Sequence, residues 1–256
     1  LLLFLSLLGI MVAFMAIVWA IAVKVNDFSI VDIAWGMTFI ITTIATLAIT
    51  QNMNITSITI AVLVILWGLR LSGYLFKRNV GKPEDYRYQN MRKRWETNVN
   101  LKAFYRVYML QGALSLFFSI PIIIGIANSS EETNYILITI GVVLWIIGFI
   151  FEAGGDYQLS QFKKKEENKG RFIKHGLWRY TRHPNYFGES AMWFGVAIVA
   201  LSVPWGWIGL ISPIALTYIL INISGVPPLE KKFMEHEEYR EYAKKTNMFI
   251  PGPPKK

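Results

Sequence analysis

The run RYTRHPNYFGES, Arg179 to Ser190, places two guanidiniums, an imidazole, an amide, two phenols and a carboxylate beside one another at the edge of an apolar stretch. Asn185 and Glu189 stand four residues apart with Tyr186 adjacent, and Pro184 is suited to begin a helix. Both polar side chains then lie near a helix N-terminus, where unpaired backbone N–H groups favour anions. Arg179 and Arg182 add fixed positive charge, and His183 lies between them and the helix. A loop that only marks the basic side of a membrane needs lysines and arginines, and His183 alone reads as a simple cap. Asn185, Tyr186 and Glu189 go beyond both needs, so the run reads as one wall of a site for a charged, nucleotide-like cofactor.

Three other places set ionisable groups in or beside apolar sequence, where a charge costs about 2.5–3.5 kcal/mol on insertion scales. Asp32 shares a helical face with Gly36, beside Trp35; it is a site carboxylate or a first-turn residue favoured by the helix dipole. Trp67, Arg70 and Tyr74 follow at i, i+3 and i+7, which fits a phosphate or carboxylate clamp or a snorkelling arginine. Glu152 and Asp156 are i, i+4, so two like charges crowd one face, and Ser160 and Lys163 continue the stripe. That crowding is tolerable when a ligand or an arginine sits between the carboxylates or one of them is protonated; structural pairing with Arg70 or loop lysines is the other reading. Gln111 fits an interhelical hydrogen bond better than a ligand contact.

The elements that must position these groups are apolar. A chain of 256 residues that is 54% hydrophobic is more apolar than a soluble domain. Runs at 1–23, 29–50, 55–76, 104–127, 134–153, 187–203 and 207–225 are each near one bilayer thickness at helical rise. The expectation is an all-α, polytopic membrane helix bundle of seven transmembrane helices, because inside lipid the backbone must bond to itself. The first run lacks a basic n-region and a cleavage site and reads as a retained helix. The loops 77–103 and 154–186 and the tail are rich in Lys and Arg, and the intervening loops contain none. The positive-inside rule then puts the N-terminus out and the C-terminus in, with the site facing the cytoplasm. Topology accounts for most of the +9 charge, and nothing points to nucleic acid. With no cysteine there is no disulfide, thiolate nucleophile or cysteine-ligated metal, and no metal site is expected. One membrane domain spans 1–256, with the site-bearing part at about 60–251 and a tail at 226–256. Within the tail Leu229, Phe233, His236, Tyr239 and Ala243 form the apolar side of a short amphipathic helix that lies on the membrane face or caps the bundle mouth.

The segment HGLWRYTRHPNYFGE, an apolar helix after it and a tail ending EEYREYAKKTNMFIP together resemble the membrane steroid 5-alpha-reductase family, more narrowly its bacterial DUF1295-type branch. The same segment resembles the isoprenylcysteine carboxyl methyltransferases, which share the C-terminal half of the fold. The resemblance covers about residues 60–251 and is strongest over 150–190. It aligns Arg70 and Tyr74 with an R-x3-Y motif, Gly81-Lys82-Pro83 with a basic turn, and Asp156 with a carboxylate at the nicotinamide ribose. Asn185 and Glu189 match an N-x3-E pair, and Lys163 and Arg171 match residues near the diphosphate or 2′-phosphate. Glu152 stands where asparagine is usual, and two further departures matter: Trp67 replaces a catalytic tyrosine, and the family's second-span Gln-Glu pair has no counterpart. Asp32 is only a rough substitute for the family's Gln-Glu pair.

The resemblance implies a membrane-embedded NADPH-dependent reductase of a conjugated double bond in a lipid-soluble substrate, in a bacterial inner membrane. Tyr74 and Asp32 are the catalytic candidates. Arg70, Lys82, Glu152, Asp156, Lys163, Arg171, Arg182, His183, Asn185, Tyr186 and Glu189 are the cofactor-binding candidates. The alternative is an S-adenosylmethionine-dependent methyltransferase, for which Glu230 at the start of the tail is the supporting residue; its cofactor carries no phosphate for so many cations to hold. A non-enzymatic transporter or assembly factor is a third reading, without the repeats or broken helices that transporters often show.

Overall fold

The structure, a computed structural model, describes residues 1–255. Regular structure among them is helical, and the only extended pairing is one isolated bridge between Thr181 and Asn247. The helices are α1 (Leu2–Val25), α2 (Ile30–Thr50), α3 (Ile55–Asn79), α4 (Tyr86–Trp95), α5 (Val99–Ala103), α6 (Leu110–Phe118), α7 (Ile120–Ala127), α8 (Tyr135–Lys164), α9 (Pro184–Ala200), α10 (Ile211–Asn222), α11 (Val226–Phe233) and α12 (Glu237–Lys245). The protein is an integral membrane protein: five helical stretches are long and apolar enough to cross a bilayer, and a sixth is added if a bent pair counts as one span. That pair is Val99–Phe118 with Ile120–Ala127, broken by 47°. The expected straight helix over 104–127 is interrupted because Pro121, in the first turn of α7, lacks an N–H and its ring crowds the preceding turn. A π-helical turn at Phe104–Met109 loosens the same span. The expected run at 187–203 is α9, whose 17 residues rise about 25 Å and sit at the short limit for a span. It ends early because the chain turns at 201–205, with Trp205 at φ 64°.

The chain divides into two compact units, Leu1–Asn134 with Ala200–Gly209, and Tyr135–Val199 with Leu210–Lys256. In the first, α2 packs against both α1 and α3. Gly36 and Gly68 make the α2–α3 contact, and a Cβ on Gly36 would lie 2.5 Å from the Gly68 carbonyl. Thr42, Thr43, Thr46 and Thr50 of α2 turn their hydroxyls back to carbonyls four residues earlier, at 2.7–2.9 Å. That local bond lets a hydroxyl be buried without a distant partner.

In the second unit a glycine seam sets the register of α8 against α9. Gly141, Gly148 and Gly155 recur every seventh residue on α8, and Gly188 and Gly195 do so on α9. A Cβ on Gly141 would stand 2.6 Å from the Gly195 carbonyl, and one on Gly148 2.6 Å from that of Gly188. The two backbones therefore touch along the seam, as small residues permit in lipid. The tail forms two helices where one was expected. The chain turns at Met234–Glu235, and His236 takes an extended conformation (φ −92°, ψ 128°) before α12.

Candidate functional site

Register along the glycine seam decides what stands opposite what at its end. Gly155 faces Pro184 and the Asn185 backbone. The Asn185 amide Nδ2 then donates to Asp156 Oδ1 at 3.5 Å. Glu152, one turn earlier, lies where Gly188 leaves room: any Cβ there would collide with the Glu152 backbone. Glu152 and Asp156 are both buried. Thus Glu152, Asp156, Asn185 and the α9 turn bearing Tyr186 and Glu189 gather at one end of this helix pair.

Beside them the second unit encloses a cavity of about 370 Å³. Lys163, Arg171, Arg182, His183 and Asn185 line it, as do Trp178, Lys232 and Tyr242. Phe172, Phe233, His236 and Tyr239 form an aromatic wall, with Phe172 5.1, 5.4 and 4.9 Å from the other three ring centroids. No Asp or Glu is among the lining residues. Arg171 and Lys232 make no ion pair or side-chain hydrogen bond among the described residues. A positive, partly aromatic chamber without a carboxylate suits a polyanion that carries a flat ring system.

Arg182 and His183, which line the cavity, also bond the tail. Arg182 donates from Nε and Nη2 to the two Glu230 carboxylate oxygens at 2.9 and 3.1 Å. Its Nη1 donates to the carbonyls of Ala243 and Thr246 at 3.1 and 2.7 Å. His183 Nε2 lies 2.9 Å from Glu230 Oε1, and the Tyr239 hydroxyl donates to the same oxygen at 2.8 Å. Both side chains are thereby tied to the tail, and the guanidinium has little left to offer a phosphate. They position the wall. The His183 ring stacks on Tyr186, 5.6 Å between centroids at 16°. Burial and the neighbouring Glu230 push the Tyr239 phenol above its ordinary pKa, so it stays a neutral donor. Further stitches come from Trp178 Nε1 to the Gly155 carbonyl (3.1 Å), Tyr242 to the Trp178 carbonyl, and Thr181 Oγ1 to that of Phe249 (2.8 Å).

The remaining candidates belong to the first unit. Arg70 and Tyr74 meet on α3, with the guanidinium carbon 5.4 Å from the ring centroid; Arg78 approaches the same ring at 5.8 Å. Lys82 is exposed in the turn after α3. Trp67 is buried against Phe39. Asp32 is engaged on both oxygens: Arg87 Nη2 at 2.5 Å and the Tyr88 hydroxyl at 2.7 Å. With both oxygens engaged, Asp32 ties α2 to the loop helix α4. Tyr88 also hydrogen-bonds Gln111, and burial together with the Asp32 charge raises its pKa. Gln111 therefore does make a bond between elements, to α4.

Tyr88 and Lys232 went unrecognised in the sequence. Tyr88 lies in a basic loop without periodic pattern, and Lys232 reads as one more tail lysine. The spacing of Leu229, Phe233, His236 and Tyr239 was the available signal for the aromatic wall. Among the described residues, no three His, Cys, Asp or Glu side chains cluster to hold a metal.

The chain is 26% identical over 113 residues to the rat 3-oxo-5-alpha-steroid 4-dehydrogenase 1, covering 43% of this chain and 40% of that one. It is 27% identical over 112 residues to 3-oxo-5-alpha-steroid 4-dehydrogenase 2 of Macaca fascicularis, covering 44% and 41%. To the steroid 5-alpha-reductase DET2 of Gossypium hirsutum it is 29% identical over 80 residues, covering 31% and 30%. The chain thus spans about two fifths or less of the length of these relatives. No solved structure matches it. The family model described as "Protein of unknown function (DUF1295)" matches residues 18–246, nearly the whole of both units, and the chain belongs to that 5-alpha-reductase-like family.

Proposed function

We propose that the protein is a membrane reductase that uses NADPH to saturate a carbon–carbon double bond conjugated to a carbonyl in a lipid-soluble substrate. The observation that carries this reading is the cationic, aromatic-walled cavity without a carboxylate, in a chain whose curated relatives are named as steroid reductases. The donor set fits the group: Lys163 and Arg171 suit phosphates, and Asp156, Asn185, Glu152 and Glu189 suit ribose hydroxyls and a carboxamide. NADPH supplies the hydride when bound. The chain's part is to orient and to exclude water. In the first unit Arg70 and Lys82 are cations of the kind a phosphate takes. In the same unit Tyr74, whose ring lies beside the Arg70 and Arg78 guanidiniums, is the candidate to polarise a substrate carbonyl and supply a proton from Oη. Asp32 holds Arg87 and Tyr88 in place. Residues 1–256 act as one functional domain with seven transmembrane spans, N-terminus out, in a bacterial inner membrane with the site facing the cytoplasm.

The test is equilibrium titration of the purified protein in detergent with NADPH and with S-adenosylmethionine. Binding of NADPH, weakened in Asp156→Ala and Arg171→Ala, is the expected result. Tight S-adenosylmethionine binding with none for NADPH reverses the reading in favour of methyl transfer.

A further inference from the structure

The first unit carries a second concavity that the proposed reaction does not use. It is an open groove of about 410 Å³, with α2 as its floor and α1 and α3 as its walls. Ile21 comes from α1, Ile33 and Met37 from α2, and Leu69, Gly73 and Phe76 from α3. Ser72 is the one lining residue with a polar side chain. Its Oγ is buried at the helix interface, 2.6 Å from where a Cβ on Gly36 would be. The exposed surface of the groove is therefore hydrocarbon. On α3 the lining runs from Leu69 to Phe76, about 10 Å at helical rise. Gly73 opens it: a Cβ built there meets nothing within 4 Å.

One end of the groove is positive. The short links after α1 and α2 make the three helices antiparallel neighbours, so the C-terminal ends of α1 and α3 lie at the same level. Lys24 stands one turn beyond Ile21 on α1, and Lys77 one turn beyond Gly73 on α3. Both are exposed, and neither makes an ion pair or side-chain hydrogen bond among the described residues. The carboxylate nearest in sequence, Asp27, accepts from the backbone N–H and hydroxyl of Ser29 at 2.8 and 2.5 Å. Arg78 is turned to the Tyr74 ring and to Asn79.

We propose that this groove is a binding site for an anionic membrane phospholipid, with one acyl chain lying along α2 between α1 and α3 and the phosphate between Lys24 and Lys77. The apolar trough and its basic mouth complement the two halves of that molecule, and a cation near a membrane surface contributes to anionic-lipid binding. The inference is independent of the cofactor reading.

Native mass spectrometry of the intact protein, with phosphatidylglycerol and phosphatidylcholine of matched acyl chains, tests it. A one-to-one phosphatidylglycerol adduct that outlasts the phosphatidylcholine adduct is expected. The double variant Lys24→Ala/Lys77→Ala should lower the phosphatidylglycerol preference about 30-fold, roughly fivefold per cation. Gly73→Phe should fill the trough and reduce retention of both lipids, whereas Val62→Phe, on the exposed face of the same helix and outside the groove, should reduce neither. Equal retention of the two lipids by the wild type overturns the proposal. So does Gly73→Phe binding both as the wild type does, with thermal unfolding confirming that it is folded.

Discussion

The charged clusters of the two units look alike in sequence and are opposite in structure. Around α4, opposite charges meet within the protein: Asp32 with Arg87 at 2.5 Å, Asp85 with Arg87 at 2.9 Å, and Glu84 with Arg92 at 2.8 Å. Arg92 also lies over the Phe28 ring at 3.7 Å. That cluster closes on itself and fastens a loop helix to the α1–α2 link and the start of α2. In the second unit Arg182 and His183 close on Glu230, while Arg171 and Lys232 face a cavity with no carboxylate in its lining. Charge near a membrane interface is therefore no evidence of function by itself. Whether the fold supplies the counter-charge separates a fastener from a ligand site.

The sharpest way to break this contrast is Glu230→Ala. It removes the acceptor of Arg182, His183 and Tyr239 together and leaves a buried guanidinium uncompensated, which should cost about 3–5 kcal/mol. Thermal unfolding in detergent should show the loss, with any ligand binding at the cavity falling alongside it. Next comes Gly148→Leu. With only 2.6 Å to the Gly188 carbonyl, the helices must part, at about 3 kcal/mol, and Asp156 should lose its register with Asn185. The same unfolding measurement, paired with NADPH titration, reads both effects. Arg171→Ala/Lys232→Ala should do the reverse: an unfolding temperature within about 2 °C of the wild type, because neither side chain has a partner to lose among the described residues, but NADPH affinity about tenfold lower. A comparable fall in stability would show that these cations too are fasteners.

The smallest effect concerns pH. Burial and Asp32 raise the pKa of Tyr88. A group raised on folding contributes stability that is complete below its unfolded value, about 10 for tyrosine, and is lost as pH rises past it. Unfolding temperature should therefore fall above about pH 10 in the wild type, and Tyr88→Phe should flatten that decline while costing about 1 kcal/mol at neutral pH. An identical alkaline decline in both proteins would detach Tyr88 from the closed cluster.

The helical placement of several candidate residues was legible before the fold. Asn185 and Glu189 at i, i+4 after Pro184 correctly placed a helix start, because α9 begins at that proline. Glu152 and Asp156 were rightly set on a helix whose end carries Lys163. The bonds of Arg182 and His183 to Glu230 were not legible, because that partner lies 47–48 residues away and only tertiary contact joins them. The break at Pro121 was readable from the proline rule; the turn splitting the tail was not, since Met234 and Glu235 are ordinary helix formers.

Local composition determined what had to be helical and apolar, where several helices begin, and which stretches carry charge, because backbone bonding in lipid leaves no other regular form to long apolar runs. Tertiary structure alone decided which charges meet. Glycines at seven-residue spacing set backbone against backbone and so align Asp156 with Asn185, and a tail glutamate takes up Arg182 while leaving Arg171 and Lys232 at the cavity. Those outcomes depend on close approach between residues distant in the chain, and no periodicity within one segment encodes that.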